Sequence, residues 1–164
     1  MTTKITSAQK REYEEIVELW EASVRSTHDF LAEADVLYFR RMLLEHWLAA
    51  VDIFCVRDGD GALAGFLGLR DKKIEMLFLS PDWFGKGLGK ELLGFAVNEK
   101  GATKVDVNEQ NQHAAGFYAH MGFRVVGRSS HDDSGKPYPL LHMELVAPEK
   151  VGTMKYGDAA SIME

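Results

Sequence analysis

Residues 79–93 read Leu79-Ser80-Pro81-Asp82-Trp83-Phe84-Gly85-Lys86-Gly87-Leu88-Gly89-Lys90-Glu91-Leu92-Leu93. A hydrophobic run from Lys73 ends at Leu79, Ser80-Pro81-Asp82 signals a turn, and Leu88, Leu92, Phe95 and Ala96 then repeat at helical spacing. A strand that passes through glycines into a helix N-terminus is a phosphate site, because the first helical N–H groups lack intrahelical partners and carry partial positive charge. Gly85, Gly87 and Gly89 let the backbone approach a ligand, and Lys86 and Lys90 add charge to the loop unless both are merely solvated.

Working outward, Lys4-Ile5-Thr6 reads as a short strand and residues 12–25 as a helix, with Tyr13, Ile16, Val17, Trp20 and Val24 on one face. Ser26-Thr27-His28-Asp29-Phe30 breaks that pattern. A second helix is expected from Ala34 to Leu48, with Leu37, Arg40, Leu44 and Trp47 marking its repeat. Strands follow at Asp52–Arg57 and Ala62–Leu69, joined by the hairpin signal Asp58-Gly59-Asp60-Gly61, and at Lys73–Leu79. The helix behind the glycine loop runs to about Gly101 and leads to a strand at Lys104–Val107. Asn111 is an N-cap for a helix carrying Ala114, Phe117, Tyr118 and Met121 and ending at Gly122. Phe123–Ser129 and Leu140–Val146 are the last strands, separated by the polar stretch Asp132–Pro139. The order βααβββαβαββ describes an α/β fold with a mixed central sheet of about seven strands and four flanking helices, in one domain over residues 1–146. Residues 147–164 show no periodicity and are expected to be a peripheral tail.

The whole chain sets bounds on function. Its 164 residues, 46% of them hydrophobic, suit one domain with a real core. A net charge of −6 argues against a general nucleic-acid binder and makes the two loop lysines stand out against the global sign. The single cysteine, Cys55, lies in the apolar run Ile53-Phe54-Cys55-Val56 and reads as a small core residue. His113 and His120 are seven residues apart on one helix and no H-E-x-x-H motif occurs, so no metal is expected. No stretch resembles a signal peptide or approaches the roughly 20 apolar residues of a membrane span, so the expectation is a soluble cytoplasmic protein, monomer or homodimer, with no membrane partner.

Three phosphate loops compete. The dinucleotide fingerprint G-x-G-x-x-G is one residue longer than Gly85-x-Gly87-x-Gly89 and follows a first strand rather than a fourth. The Walker loop needs Lys-Ser or Lys-Thr after its glycines, which this chain lacks. The remaining pattern resembles the acetyl-coenzyme A loop of the GNAT N-acetyltransferases, [RQ]-x-x-G-x-[GA], with Gly87 and Gly89 at its small positions and Phe84 where Arg or Gln is usual. Asn111-x-x-Ala114-x-x-Phe117-Tyr118-x-x-x-Gly122-Phe123 is similar to the later motif of the same family. Within it, Ser26–Leu31, Val107–Asn111 and Gly135–Leu141 resemble the YjaB-type bacterial acetyltransferases, small cytoplasmic members for which protein lysine acetylation is one proposed activity.

The resemblance implies an N-acetyltransferase that moves acetyl from acetyl-coenzyme A to a primary amine, possible acceptors including protein lysine, by direct transfer in a ternary complex. It implies backbone contacts from Leu77, Phe78 and Leu79 to the pantetheine, N–H groups from Phe84, Gly85, Lys86, Gly87, Leu88 and Gly89 to the pyrophosphate, and Asn111 and Phe117 bordering the pantetheine arm. Tyr118 falls where the family places the acid for the departing sulfur, although it would also simply pack on an apolar helix face. An amine with pKa about 10.4 needs help to lose its proton. Alternation places Glu75 on the face of Leu77 and Leu79, as a base or as a rim carboxylate paired with Lys73 or Arg70; Asp106 and a water chain are the alternatives. His28, Phe30 and Tyr138 are the candidate acceptor-site residues, each with a plain structural reading beside it: a surface loop for His28, a stiff turn for Tyr138 between Pro137 and Pro139. A non-catalytic acyl-coenzyme A sensor on the same fold, or a nucleotide-binding module, would also retain the loop.

Overall fold

A computed structural model describes residues 4–146, and its elements follow the order βααβββαβαββ. The tail over residues 147–164 lies outside the described residues. Strands β1 (Ile5–Ser7), β2 (Asp52–Arg57), β3 (Leu63–Arg70), β4 (Lys73–Leu79), β5 (Lys104–Asn108), β6 (Phe123–Ser129) and β7 (Leu140–Leu145) form one sheet in the order β1-β2-β3-β4-β5-β7-β6. Every neighbouring pair is antiparallel except β4 and β5. A parallel pair needs a crossover, and here α3 (Leu88–Asn98) supplies it.

The sheet has a core on each face. On one, Leu88, Leu92, Leu93 and Ala96 of α3 and Phe117 and Tyr118 of α4 (Gln112–His120) pack on Leu67, Ile74, Leu79, Val105 and Val107. On the other, Ile16, Val17, Trp20 and Val24 of α1 (Tyr13–Thr27) and Val36 of α2 (Glu33–Met42) cover Ile53, Cys55 and Phe66. Fully burying one such aliphatic or aromatic side chain contributes about 1.5–3 kcal/mol, so both faces are needed to hold the sheet.

Two local departures from regular periodicity shape the site. The expected helix Ala34–Leu48 stops at Met42 and continues as a π turn, Leu43–Trp47, and a 3-10 turn, Leu48–Ala50. The repeat assigned to Leu37 and Leu44 is out of phase: they are 54% and 37% exposed, while Val36, Leu43 and Leu48 are buried. The inward stripe starts one residue earlier, and the wide turn brings the Trp47 ring to 5.9 Å from Phe39. On β4, Gly68 of β3 pairs with Met76 but Leu69 pairs with Ile74, so Glu75 is an extra, bulged residue. Strict alternation therefore fails there. Ile74, Leu77 and Leu79 belong to the α3–α4 core, and Glu75 is not on their face but beside Met76, Phe39 and Trp47. This corrects the face expected for Glu75.

Strands β4 and β5 pair only at Lys73↔Lys104 and Ile74↔Val105. Beyond that point they separate, although β4 runs to Leu79 and β5 to Asn108. The splay opens a cleft through the middle of the sheet, lined by Leu77, Phe78, Val107, Asn108, Asn111 and Tyr118.

Candidate active site

One arm of the cleft is built by the glycine loop. Gly85 and Gly87 have φ of +74° and +84°, a region that side chains with a Cβ rarely adopt, and a Cβ built at either position meets nothing within 4 Å. The backbone conformation, not crowding, requires glycine, and the space over the loop is open to a ligand. Gly87 is the N-cap of α3, and the helical ladder starts with Glu91 N–H donating to the Gly87 carbonyl at 3.2 Å. The amides of Leu88 and Gly89 precede that ladder, at the positive end of the helix dipole. These features fit a phosphate. Lys86 Nζ lies 5.5 Å from the centroid of the Trp83 ring. Phe84, in ordinary extended backbone, packs partly on the α3–α4 core. Leu77, Phe78, Leu79, Phe84, Gly89, Asn111 and Phe117, all expected coenzyme contacts, line one apolar cavity with Tyr118 and His28.

Tyr118 stands where this cavity meets the splay. It is 6% exposed, with Phe117 at 5.1 Å and Phe123 at 5.6 Å between ring centroids. Burial pushes its hydroxyl pKa well above the ordinary tyrosine value, so it stays protonated across the physiological range. Packing and access to the cleft therefore occur in the same residue.

The second arm lies on the α1–α2 side. Trp20, Leu31, Phe39, Trp47, Glu75, Met76, Phe78 and Tyr138 line a cavity of about 220 Å³. At ~30 Å³ per water molecule, that admits an alkyl stem. Tyr138 is the hinge of this wall. Its hydroxyl donates to Asp35 and accepts from Ala32 N–H at 3.2 Å, and Asp35 also pairs with Lys136 at 2.9 Å. The β6–β7 loop is thereby tied to the α1–α2 loop, so Tyr138 is both pocket wall and structural turn. Phe30 does not face this cavity; its ring sits 5.2 Å from His28 and 6.2 Å from Tyr138, bracing both.

The two candidate bases differ. Glu75 is 18% exposed in its side chain, and its Oε2 is 3.2 Å from the Arg70 guanidinium, a rim pairing out of hydrogen-bonding alignment. It lines both the splay and the second arm. Asp106 has both oxygens engaged: Oδ2 accepts from Lys73 Nζ at 2.6 Å and Oδ1 from His142 Nδ1 at 2.7 Å, while His142 Nε2 meets Ser129 Oγ at 2.6 Å. Burial alone would raise the Asp106 pKa, but the hydrogen bonds from Lys73 and His142 outweigh it and hold the carboxyl below the ordinary aspartate value. That makes Asp106 an anchor between β4, β5 and β7 and a poor base.

His28, expected as a loop residue, is half-buried at the meeting of the arms and within 6.5 Å of the Phe78 ring centroid. The sequence pattern carries no signal for Thr27, which bonds it, or for Phe39, Trp47 and Met76 as cavity walls, since their spacing fits regular elements. Among the described residues no group of three or more His, Cys, Asp or Glu side chains is placed to hold a metal ion, and no helix is long and apolar enough to cross a membrane.

A sheet split between parallel β4 and β5, with a glycine loop at the mouth of the split, is the architecture of a coenzyme A-dependent acetyltransferase. The family model for the acetyltransferase (GNAT) domain matches residues 38–146, and the chain belongs to that family. Among its relatives is the peptidyl-lysine N-acetyltransferase YjaB of Salmonella typhimurium, 38% identical over 143 residues that cover 87% of this chain and 98% of the relative. YjaB of Escherichia coli is 37% identical over 146 residues, covering 89% and 99%. The solution structure of apo YjaB from Escherichia coli superposes with a TM-score of 0.81 at 36% identity, over 89% of this chain and 99% of the other. A PaiA N-acetyltransferase from Thermoplasma acidophilum, solved with coenzyme A, shares the fold at 20% identity and a TM-score of 0.66, covering 89% of this chain and all of that one. The chain is an N-acetyltransferase of this family.

Proposed function

We propose that this protein acetylates the ε-amino group of lysine in a peptide or protein, with acetyl-coenzyme A as donor, by direct transfer within a ternary complex. The observation that carries this reading is the second arm: an aromatic-walled cavity with two carboxylates, of which Asp132 accepts from the Ser134 and Lys136 backbone amides, leaving Glu75 as the carboxylate where the cavity joins the splay. An uncharged four-carbon stem suits the walls, and its terminal amine would reach the carboxylate. The lysine-directed names of the relatives agree with this shape.

Acetyl-coenzyme A supplies an activated thioester. The chain's own groups do the rest. Backbone of Leu77, Phe78 and Leu79 holds the pantetheine and polarises the thioester carbonyl, amides of Lys86 through Gly89 hold the pyrophosphate while that of Phe84 stays on the Pro81 carbonyl at 3.2 Å, and Asn111 and Phe117 border the arm. Glu75 receives the amine proton, directly or through water, as the C–N bond forms. Tyr118 protonates the sulfur as the C–S bond breaks. Asp106 keeps its oxygens on Lys73 and His142 and stays out of the proton transfer. A covalent acyl-enzyme has no cysteine for it in the cleft, since Cys55 is 1% exposed in the α1–α2 core and burial pushes its thiol up to about 12.

Thiol release from acetyl-coenzyme A with lysine-bearing peptides, spermidine and free amino acids tests the reading. Peptides are expected to give kcat/KM at least tenfold above the other amines, about 1.4 kcal/mol of discrimination. A preference for spermidine would overturn the acceptor class. Coenzyme binding with no thiol release for any amine would favour a sensor.

A further inference from the structure

His28 has surroundings that leave its ring one protonation pattern. The Thr27 hydroxyl donates to the Ser23 carbonyl at 2.9 Å, which commits its only proton. The same oxygen is 2.7 Å from His28 Nδ1 and has only lone pairs to offer there, so Nδ1 carries the hydrogen. At the other end, Asn111 Oδ1 caps α4 by accepting from Ala114 N–H at 3.2 Å. That assignment turns the Asn111 NH2 toward His28 Nε2, 3.4 Å away. Nε2 therefore presents a lone pair. The chain of bonds is anchored on backbone at both ends, and Phe30 braces the ring.

The position matters as much as the tautomer. Among the described residues, His28 and Phe78 are the two that line the donor cavity, the splay and the acceptor cavity alike. An amine attacking a thioester must point its lone pair at the carbonyl and send its N–H bonds elsewhere. The Asn111 contact on Nε2, at the long limit of a hydrogen bond, is readily exchanged for an incoming N–H. The titratable groups around the ring include Asp29, next in sequence, Glu75, which shares two cavities with it, and Asp106, Asp132 and His113, which share one each. Burial pushes the imidazole down to about 4, so it stays neutral when a substrate arrives at physiological pH.

Resting on the N-acetyltransferase reading, we infer that His28 Nε2 accepts a hydrogen bond from the acceptor amine at the junction of the arms and aims the nitrogen lone pair at the thioester carbonyl, in a tautomer held by Thr27 and Asn111. The ring keeps its charge throughout, because the amine proton leaves to Glu75. His28 is on this account a catalytic residue and Thr27 a positioning residue.

Nitrogen-15 NMR of the histidine rings in the intact protein reads the tautomer without any turnover. The expected result is a neutral Nδ1–H ring for His28 at every pH from 5.5 to 8. An Nε2–H tautomer, or titration near 6.5, overturns the proposal. Kinetics with the best amine form the second arm. His28→Phe keeps a ring but offers no acceptor, and kcat should fall about 100-fold, the size expected of lost orientation, with the KM for acetyl-coenzyme A within threefold. His28→Gln, which returns an oxygen near the Nε2 position, should recover at least tenfold of that loss. Thr27→Val should shift the ring toward the Nε2–H tautomer and lower kcat in step. Wild-type kcat in His28→Phe, or a kcat loss in Thr27→Val with no tautomer shift, refutes the assignment. If the wild-type protein turns over no amine, the acetyltransferase reading fails, and with it the catalytic role for His28, while the NMR result still decides the tautomer.

Discussion

The two arms of the cleft are made of different material. The donor arm is built mainly from the end of β4, the glycine loop and the first turns of α4, with Ser23, Thr27 and His28 closing one side, and the coenzyme contacts proposed for it are largely backbone amides. The acceptor arm is assembled from side chains far apart in sequence: His28, Phe39, Trp47, Glu75, Met76 and Tyr138. A backbone cradle tolerates substitution as long as its φ/ψ values persist, so it accommodates Phe84 in place of the usual Arg or Gln. A side-chain pocket changes with every residue. One fold can therefore keep a common donor while its acceptors diverge.

Tyr118 sits at the boundary and gives the largest expected effect. Tyr118→Phe removes one oxygen from a well-packed ring and leaves Phe117 and Phe123 in contact. If the hydroxyl protonates the leaving sulfur, kcat falls by about 100-fold or more, the usual range for a lost general acid, while the KM for acetyl-coenzyme A stays within twofold. Steady-state thiol release measures both. An unchanged kcat would return Tyr118 to the core as a packing residue and leave the donor arm without an acid.

The carboxylates separate the arms next. Glu75→Gln should lower kcat/KM for the amine about tenfold to 100-fold with little change in melting temperature, since its Arg70 partner is 61% exposed and readily solvated. Asp106→Asn should do the reverse. It removes the carboxylate bonded to Lys73, leaving the lysine the unbonded charges of Glu75 and Asp133, and a destabilisation of about 1–3 kcal/mol is expected, with activity within threefold of wild type. The sign with pH follows from the lowered pKa of Asp106. Its stabilising contribution is present above the ordinary aspartate value, about 3.9, and is lost as pH falls through the folded value. Wild type should therefore lose stability in acid more steeply than Asp106→Asn below about pH 4. If Asp106→Asn instead abolished turnover at unchanged stability, the two roles would have to be exchanged.

The same contrast decides what the sequence made legible. The order of elements, the glycine loop and the Asn111 cap could be read because each depends on neighbours a few residues away: a turn signal, a positive φ, an N–H three residues on. Phe39 and Trp47 could not be read as pocket walls. Their placement depends on a π turn, and nothing in the repeat of residues 34–48 announces one. Period-two alternation puts Glu75 on the right strand and the wrong face, because a bulge is invisible to it. The fate of Asp106 was hidden for a further reason: its partner His142 lies directly opposite on β7, 36 residues away, and only the sheet register brings them together.

The smallest expected effect is the sharpest test of a backbone-made donor arm. Phe84 has φ −63° and ψ 140°, open to any residue, so Phe84→Arg introduces no backbone strain. It would return the side chain the family usually carries beside the pyrophosphate. The substitution forfeits part of the Phe84 packing on the α3–α4 core, a loss of about 1 kcal/mol in stability for a partly buried ring. Its gain is one solvent-exposed charge near phosphate, worth about 0–1 kcal/mol and screened by salt. The Kd for coenzyme A, measured by calorimetry, is therefore expected to change by less than about fivefold at 0.15 M salt and to become more salt-dependent. A tightening of tenfold or more would mean that a side chain at position 84 carries what is assigned to the amides of Lys86 to Gly89. The donor arm would then depend on side-chain identity as much as the acceptor arm does.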